Sequence, residues 1–215
     1  MMEEKVIHYI ENIIPARGQA VEMIEAYAKE HEVPIMDLVG MESLLQQLRL
    51  FQPRRVLEIG TAIGYSAIRM ALALPEATIV TIERDEVRYQ EAKKNIGKLE
   101  LEDRIHLYYG DALDVYNQLG NEGEFDALFI DAAKGQYQRF FDLYSQMLGE
   151  RGVIFSDNVL FRGLVAEKEV DNKRLRGMVK KLQKYNATLM NHPDYQTSIL
   201  PVGDGLAISI KKAHI

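Results

Sequence analysis

The sequence predicts an α/β protein: a doubly wound, mostly parallel seven-stranded sheet with helices on both faces and further helices ahead of it. Three observations predict this. Between residues 55 and 156, short apolar runs alternate with amphipathic helical stretches, the pattern of successive β-α-β units. The first run, Arg55-Val56-Leu57-Glu58-Ile59, passes straight into Gly60-Thr61-Ala62-Ile63-Gly64 and then into the helix-like Tyr65-Ser66-Ala67-Ile68-Arg69-Met70. The chain then closes on two strand-like runs, 197–201 and 206–211, joined by Val202-Gly203-Asp204-Gly205, where Asp-Gly between apolar strands signals a hairpin.

Taken in order, Val6, Ile7, Ile10, Ile13 and Ile14 follow helical spacing, and a second helical stretch covers 20–31 before Pro34. Residues 1–34 therefore read as a helical extension, serving as a lid or a subunit contact. A helix over 38–51 carries Leu44, Leu45 and Leu48 on one face and stops before Pro53. Strands are expected at 55–59, 77–83, 104–109, 125–130 and 152–156, with helices at 65–74, 85–98, 112–119 and 137–148 between and after them. A last helix is expected at 171–189. With no internal repeat, low-complexity tract or linker, residues 1–215 read as one domain.

Composition narrows the function classes. A chain of 215 residues with 47% hydrophobic content buries one large core. The absence of Cys excludes disulfides and thiolate metal sites, leaving oxygen or nitrogen ligands for any metal. The start, Met1-Met2-Glu3-Glu4-Lys5, lacks the pattern of a signal peptide, and no apolar run approaches the roughly 20 residues of a membrane span. A soluble cytoplasmic protein without a membrane partner is expected. The formal charge of −6 argues against general nucleic-acid affinity, DNA included, unless a local basic patch reverses it.

The strand ends carry the chemistry. Gly60 and Gly64 let the backbone turn sharply beside a ligand, and the free N–H groups of the following helix point at it. Glu83 ends the next strand about 20 residues after the turn, placed to accept hydrogen bonds from ribose hydroxyls. Because position 62 is Ala, the strict pyrophosphate fingerprint is absent, and an adenosyl ligand without phosphates fits better than NAD. Strands four and five lead into Asp131-Ala132-Ala133-Lys134 and Asp157-Asn158. Two carboxylates and an amide carbonyl are hard oxygen donors suited to Mg²⁺. Any one of these acids alone reads more readily as a solvated residue or a helix cap; together, beside the cofactor turn, they favour a metal.

The segments 57–70, 81–84, 110–112, 131–134, 157–158 and 201–206 together resemble the metal-dependent catechol and caffeoyl-CoA O-methyltransferase family over roughly 35–210. More narrowly, Ala132-Ala133-Lys134-Gly135-Gln136-Tyr137, Phe161-Arg162-Gly163-Leu164-Val165 and Met190-Asn191-His192-Pro193-Asp194-Tyr195-Gln196-Thr197 are similar to bacterial tRNA 5-hydroxyuridine methyltransferases. The resemblance implies a class I S-adenosylmethionine-dependent methyltransferase fold and a homodimer. It implies a cofactor lying over the 60–64 turn, with Met36, Glu58, Gly60, Ala62 and Ser66 around it, Glu83 on the ribose, Asp111 and Ala112 flanking the adenine, and Asp131 close by. It implies Mg²⁺ on Asp131, Asp157 and Asn158, and Lys134 as general base. The catechol enzyme's aromatic residue two positions after the first metal ligand is Ala133 here, which opens the acceptor pocket.

For such chemistry a hydroxyl must lie in line with the sulfonium methyl, and its oxyanion must be stabilised. A 5-hydroxyuracil ring offers two oxygens on adjacent carbons, as a catechol does. A macromolecular acceptor also needs a basic surface. Arg162, Lys168, Lys173, Arg174, Arg176, Lys180, Lys181 and Lys184 stand between 162 and 184 against Glu167, Glu169 and Asp171, while Leu175, Met178, Val179 and Leu182 form an apolar stripe. Arg162, Arg174, Arg176 and Lys180 are thus expected to hold the phosphates of a tRNA anticodon stem-loop, the other reading being an ordinary solvated helix face. His192 and Tyr195 could stack on RNA or pack locally. Set against the product 5-methoxyuridine are a small catechol or caffeoyl-CoA-type acceptor, an NAD-dependent oxidoreductase, and a noncatalytic adenosyl-binding module.

Overall fold

The computed structural model describes residues 4–212. The first three residues of the expected 1–34 extension and the last three of the expected 1–215 domain lie outside the described residues. The strands are β1 (Arg55–Ile59), β2 (Thr78–Glu83), β3 (Ile105–Tyr109), β4 (Phe125–Ile130), β5 (Leu148–Ser156), β6 (Tyr195–Leu200) and β7 (Leu206–Lys211). They form one seven-stranded sheet in the order β3-β2-β1-β4-β5-β7-β6, parallel from β3 through β5, with β7 antiparallel to both β5 and β6. The strand order reverses between β1 and β4, which opens a crevice at their carboxyl ends.

The helices are α1 (Glu4–Ile13), α2 (Gln19–Glu30), α3 (Leu38–Phe51), α4 (Tyr65–Ala73), α5 (Glu86–Lys98), α6 (Ala112–Val115), α7 (Tyr137–Tyr144) and α8 (Lys173–Met190). Short polar side chains start several of them: Asp37, Asp85 and Asn172 each accept backbone N–H bonds at an N-terminus. Gln52, left-handed at φ 54°, ends α3 immediately before Pro53. Leu44, Leu45 and Leu48 of α3 are buried, as their spacing predicts.

Strand alternation divides the core between the two faces of the sheet. Val56, Ile79, Ala127, Phe129, Val153 and Phe155 pack with α2, α3 and α4, whereas Leu57, Val80, Leu128 and Ile154 pack with α6, α7 and α8. Phe125 joins the second group, although simple alternation from Ala127 puts it in the first. A shift in the β4–β5 register between Phe125 and Ala127 is the reason.

Several boundaries correct the sequence expectation. The helix expected at 137–148 ends at Tyr144, passes through a 3-10 turn at Ser145–Met147, and gives way to β5 four residues before the expected 152. Leu148 is buried and pairs with Phe125, so tertiary pairing overrides the helical periodicity. The helix expected at 112–119 is a single α-turn followed by a 3-10 helix over Tyr116–Asn121. β6 begins at Tyr195, two residues before the expected 197, because Tyr195 pairs with Lys211.

Candidate functional site

Sheet register assembles the site. Ile59 pairs with Ile82 on one side and Ile130 on the other, and Ile130 pairs with Ser156. The next residue of each strand forms a row: Glu83, Gly60, Asp131 and Asp157. Main-chain bonds carry the ladder into that row, with Gly60 N donating to Ile82 O, Asp131 N to Ile59 O and Asp157 N to Ile130 O, each at 3.0 Å. Residues separated by up to 97 positions thus line one crevice because parallel pairing puts them there. Gly60 sits at φ +103°, and a Cβ at this position would stand 2.0 Å from the Asp131 carbonyl oxygen, so only glycine lets β1 and β4 approach at the turn.

The crevice is a cleft of about 720 Å³. Met36, Gly60, Ala62, Ser66, Glu83, Asp111 and Ala112 line it at one end, and Asp131, Lys134, Asp157, Asn158 and Arg162 line the other. Glu83 is held by three amides: Ala62 N donates to Oε2 at 2.8 Å, while Arg84 N and Asp85 N donate to Oε1 at 2.9 and 2.8 Å. That fills three of the roughly four acceptor positions on a carboxylate, leaving one for a ligand hydroxyl rather than two. Asp111 caps α6 through Leu113 N and lies 3.6 Å from the Arg84 guanidinium.

Glu58 does not line the cleft. It is fully buried beneath the turn, with its carboxyl oxygens bonded to the hydroxyls of Ser66 and Thr81, and Thr81 in turn bonds Thr61. Burial, opposed by those two hydroxyls, pushes its pKa up to about 7. It therefore supports the turn that carries Thr61 and Ser66 instead of contacting a ligand.

At the other end, Asp157 is only 2% exposed and Asp131 is half-buried. Burial raises both carboxyls above the ordinary range. Asp157 rises further because Asp131 and Asp37 add negative charge, while Lys134 opposes the rise at both. Lys134, in a 3-10 turn after β4, donates from Nζ to Asn158 Oδ1 at 2.5 Å. The amide oxygen of Asn158 is thereby turned toward a cation beside the two acids. Among the described residues no three His, Cys, Asp or Glu side chains form a metal cluster, so the set depends on Asn158 as its third donor. Two carboxylates and one amide oxygen, already serving an ammonium, fit a hard divalent cation. Tyr137 is buried nearby with its hydroxyl unpartnered, and burial together with the charges of Asp131 and Asp157 holds its proton on well above the ordinary range.

The structure adds residues to the cleft that the sequence had not assigned to it. Asp37, Phe161, Gly203 and Asp204 line the cleft, as do Ile7 and Glu11 of α1. The helix α1 of the extension thus borders the cleft. Asp37 caps α3, and Asp204 was read only as part of the hairpin turn, a pattern that does not point to a cleft. Arg174, Arg176 and Lys180 are exposed on α8, outside the cleft. Arg176 is committed to its own loop, donating to Val170 O at 2.8 Å and Asp171 O at 3.3 Å. His192 and Tyr195 pack against each other and against Phe141, with ring centroids 5.2–5.3 Å apart, and Tyr195 is buried. Of the two readings of that pair, local packing is the one realised.

Comparison with known proteins agrees with this geometry. The family model described as O-methyltransferase matches residues 17–212. The chain is 32% identical to a catechol O-methyltransferase of Niastella koreensis over 97% of each chain. It is 37% identical to a candidate caffeoyl-CoA O-methyltransferase from Staphylococcus aureus, with a TM-score of 0.90 over 95% of this chain and 98% of that one. A Bacillus cereus O-methyltransferase solved with S-adenosylhomocysteine superposes with a TM-score of 0.83 at 26% identity, over 97% of each chain. The chain belongs to the S-adenosylmethionine-dependent O-methyltransferase family of the catechol and caffeoyl-CoA type.

Proposed function

We propose that this protein methylates the 5-hydroxyl of 5-hydroxyuridine in the tRNA anticodon loop, giving 5-methoxyuridine, with S-adenosylmethionine as donor and Mg²⁺ at Asp131, Asp157 and Asn158. The observation that carries this reading is where the basic face of α8 begins. That helix packs on the turn holding Lys134, and a Cβ on Gly135 would stand 3.5 Å from Lys181 Nζ. Exposed cations at Lys173, Arg174, Lys180, Lys181 and Lys184 lie on the same helix. Ala133 is small and exposed there, which leaves room for a nucleobase splayed from a loop.

The chain's own residues divide the work. The turn beneath Gly60 and the amide-fixed Glu83 orient the donor, so that the transferable methyl and the acceptor oxygen meet in line. Bound Mg²⁺ would act as a Lewis acid, stabilising the acceptor as its oxyanion. Lys134 takes the acceptor proton on Nζ once that nitrogen has given a proton to solvent and stands as the neutral amine, which can still donate an N–H to Asn158. A second reading, a small catechol-type acceptor, is supported by Phe161, whose ring lies 5.9 Å from Lys134 Nζ and offers a flat wall. A homodimer belongs to the proposal as well. Its support is the unpartnered stripe of Val6, Tyr9 and Ile13 on the outer side of α1, the latter two more than half exposed.

Nucleoside mass analysis decides between the acceptors. Hypomodified tRNA incubated with enzyme and methyl-labelled S-adenosylmethionine should yield labelled 5-methoxyuridine with Mg²⁺ and none in excess EDTA. Label on a catechol but never on tRNA would establish the second reading; full activity in EDTA would remove the metal from the mechanism.

A further inference from the structure

The segment directly after the proposed metal ligands is bent against its own backbone preferences. Asn158, Phe161 and Arg162 adopt left-handed conformations at φ 54°, 45° and 55°, followed by Gly163 at 75°. Three such non-glycine residues within five positions carry backbone strain that something must offset. The offset is visible in the turn between β6 and β7. Four consecutive amides of the segment point at two residues of that turn: Val159 N donates to Gly205 O at 3.1 Å, Leu160 N and Phe161 N donate to Asp204 O at 2.9 and 3.1 Å, and Arg162 N donates to the Asp204 carboxylate at 3.0 Å. Packing tightens the same junction, since a Cβ on Gly205, at φ +94°, would stand 2.4 Å from Leu160 Cγ. Asp204 and the segment's Asn158, Phe161 and Arg162 all line the acceptor end of the cleft.

We infer that Asp204 is a positioning residue: it clamps 158–163 in the strained shape that sets Asn158 toward the two carboxylates and places Phe161 and Arg162 against the acceptor. The inference rests on reading this cleft as the methyl-transfer site, but the clamp has a readout of its own. The Asp-Gly pair then does more than close a hairpin. It couples the antiparallel end of the sheet to the acceptor subsite, while leaving the cofactor turn between β1 and α4 alone.

The test compares Asp204→Ala, which removes the acceptor for Arg162 N, with Asp204→Asn, which keeps an oxygen there, and adds Gly205→Ala, which disrupts the junction without touching the carboxylate. Hydrogen exchange read by mass spectrometry on peptides covering 158–163 should accelerate in Asp204→Ala and Gly205→Ala and stay near wild type in Asp204→Asn. Turnover, or affinity for Mn²⁺ used as a probe of the ligand set, should fall roughly 10–100-fold in the first two variants, as for groups that orient metal ligands. Affinity for S-adenosylhomocysteine should hold in all three variants and the melting temperature in the two Asp204 variants, while Gly205→Ala, whose Cβ meets Leu160, should melt lower. Unchanged exchange in Asp204→Ala overturns the proposal, as does cofactor affinity falling in step with activity, which would make Asp204 merely structural. A wild type that methylates neither tRNA nor catechol defeats the functional reading, whereas the exchange pattern still judges the clamp.

Discussion

Lys134 shows how much a single side chain is asked to do here. Its charge opposes the rise at Asp131 and Asp157, it donates to Asn158, and the proposed transfer makes it the base. Lys134→Ala should lower kcat by roughly 10²–10⁴-fold with S-adenosylhomocysteine affinity retained. A change confined to KM would make it a substrate-binding charge instead. Glu58 supplies a contrasting residue, ionisable but sealed beneath the turn. Its folded pKa of about 7 lies above the ordinary 4.5, so the folded state binds more protons than the unfolded state between those values. Stability from this group is full below about pH 4.5 and declines as pH rises toward 7, by a few kcal/mol at most, since each tenfold difference in proton affinity is worth roughly 1.4 kcal/mol. Glu58→Gln, which cannot ionise, should flatten that decline, and urea melts of both proteins at pH 5 and pH 8 measure it. Parallel loss of stability in the two proteins would disprove the assignment.

Among the elements, α8 was the most ambiguous in the sequence, since a basic helix face is as often merely solvated as functional. The structure makes Val179, Leu182, Tyr185 and Leu189 its buried side and leaves the Lys and Arg residues outside. Arg176 spends its donors on its own loop, so the free cations are the informative ones. Reversing charge at Arg174, Lys180 and Lys184 should weaken tRNA binding and flatten its salt dependence, each lost phosphate contact removing roughly 0.7–0.9 from the log–log slope. Methylation of a small catechol should survive. An unchanged slope would return α8 to the status of a solvated face. The last turn of α7 teaches a related lesson, because Leu148 belonged to the helical pattern by spacing yet to β5 by pairing.

At the scale of the molecule, the outer side of α1 sets an expectation about assembly. Tyr9→Arg with Ile13→Glu should convert a dimer to a monomer in multi-angle light scattering while the remaining fold stays intact. A wild type that is already monomeric would mean the stripe serves another purpose. How much of this protein its sequence determined by itself follows from range. The α/β alternation, the glycine turn, Glu83 and the acids at strand ends were legible because each is fixed by neighbours a few residues away: strand period, helix cap, turn chemistry. What only the tertiary structure decided depends on atoms far apart in sequence. Parallel register put Glu83, Gly60, Asp131 and Asp157 in one row, and burial took Glu58 out of the cleft. Docking of the β6–β7 turn put Asp204 under Phe161 and Arg162. No local pattern encodes these placements, because the energy that fixes them comes from packing and hydrogen bonds that exist only once the sheet has closed.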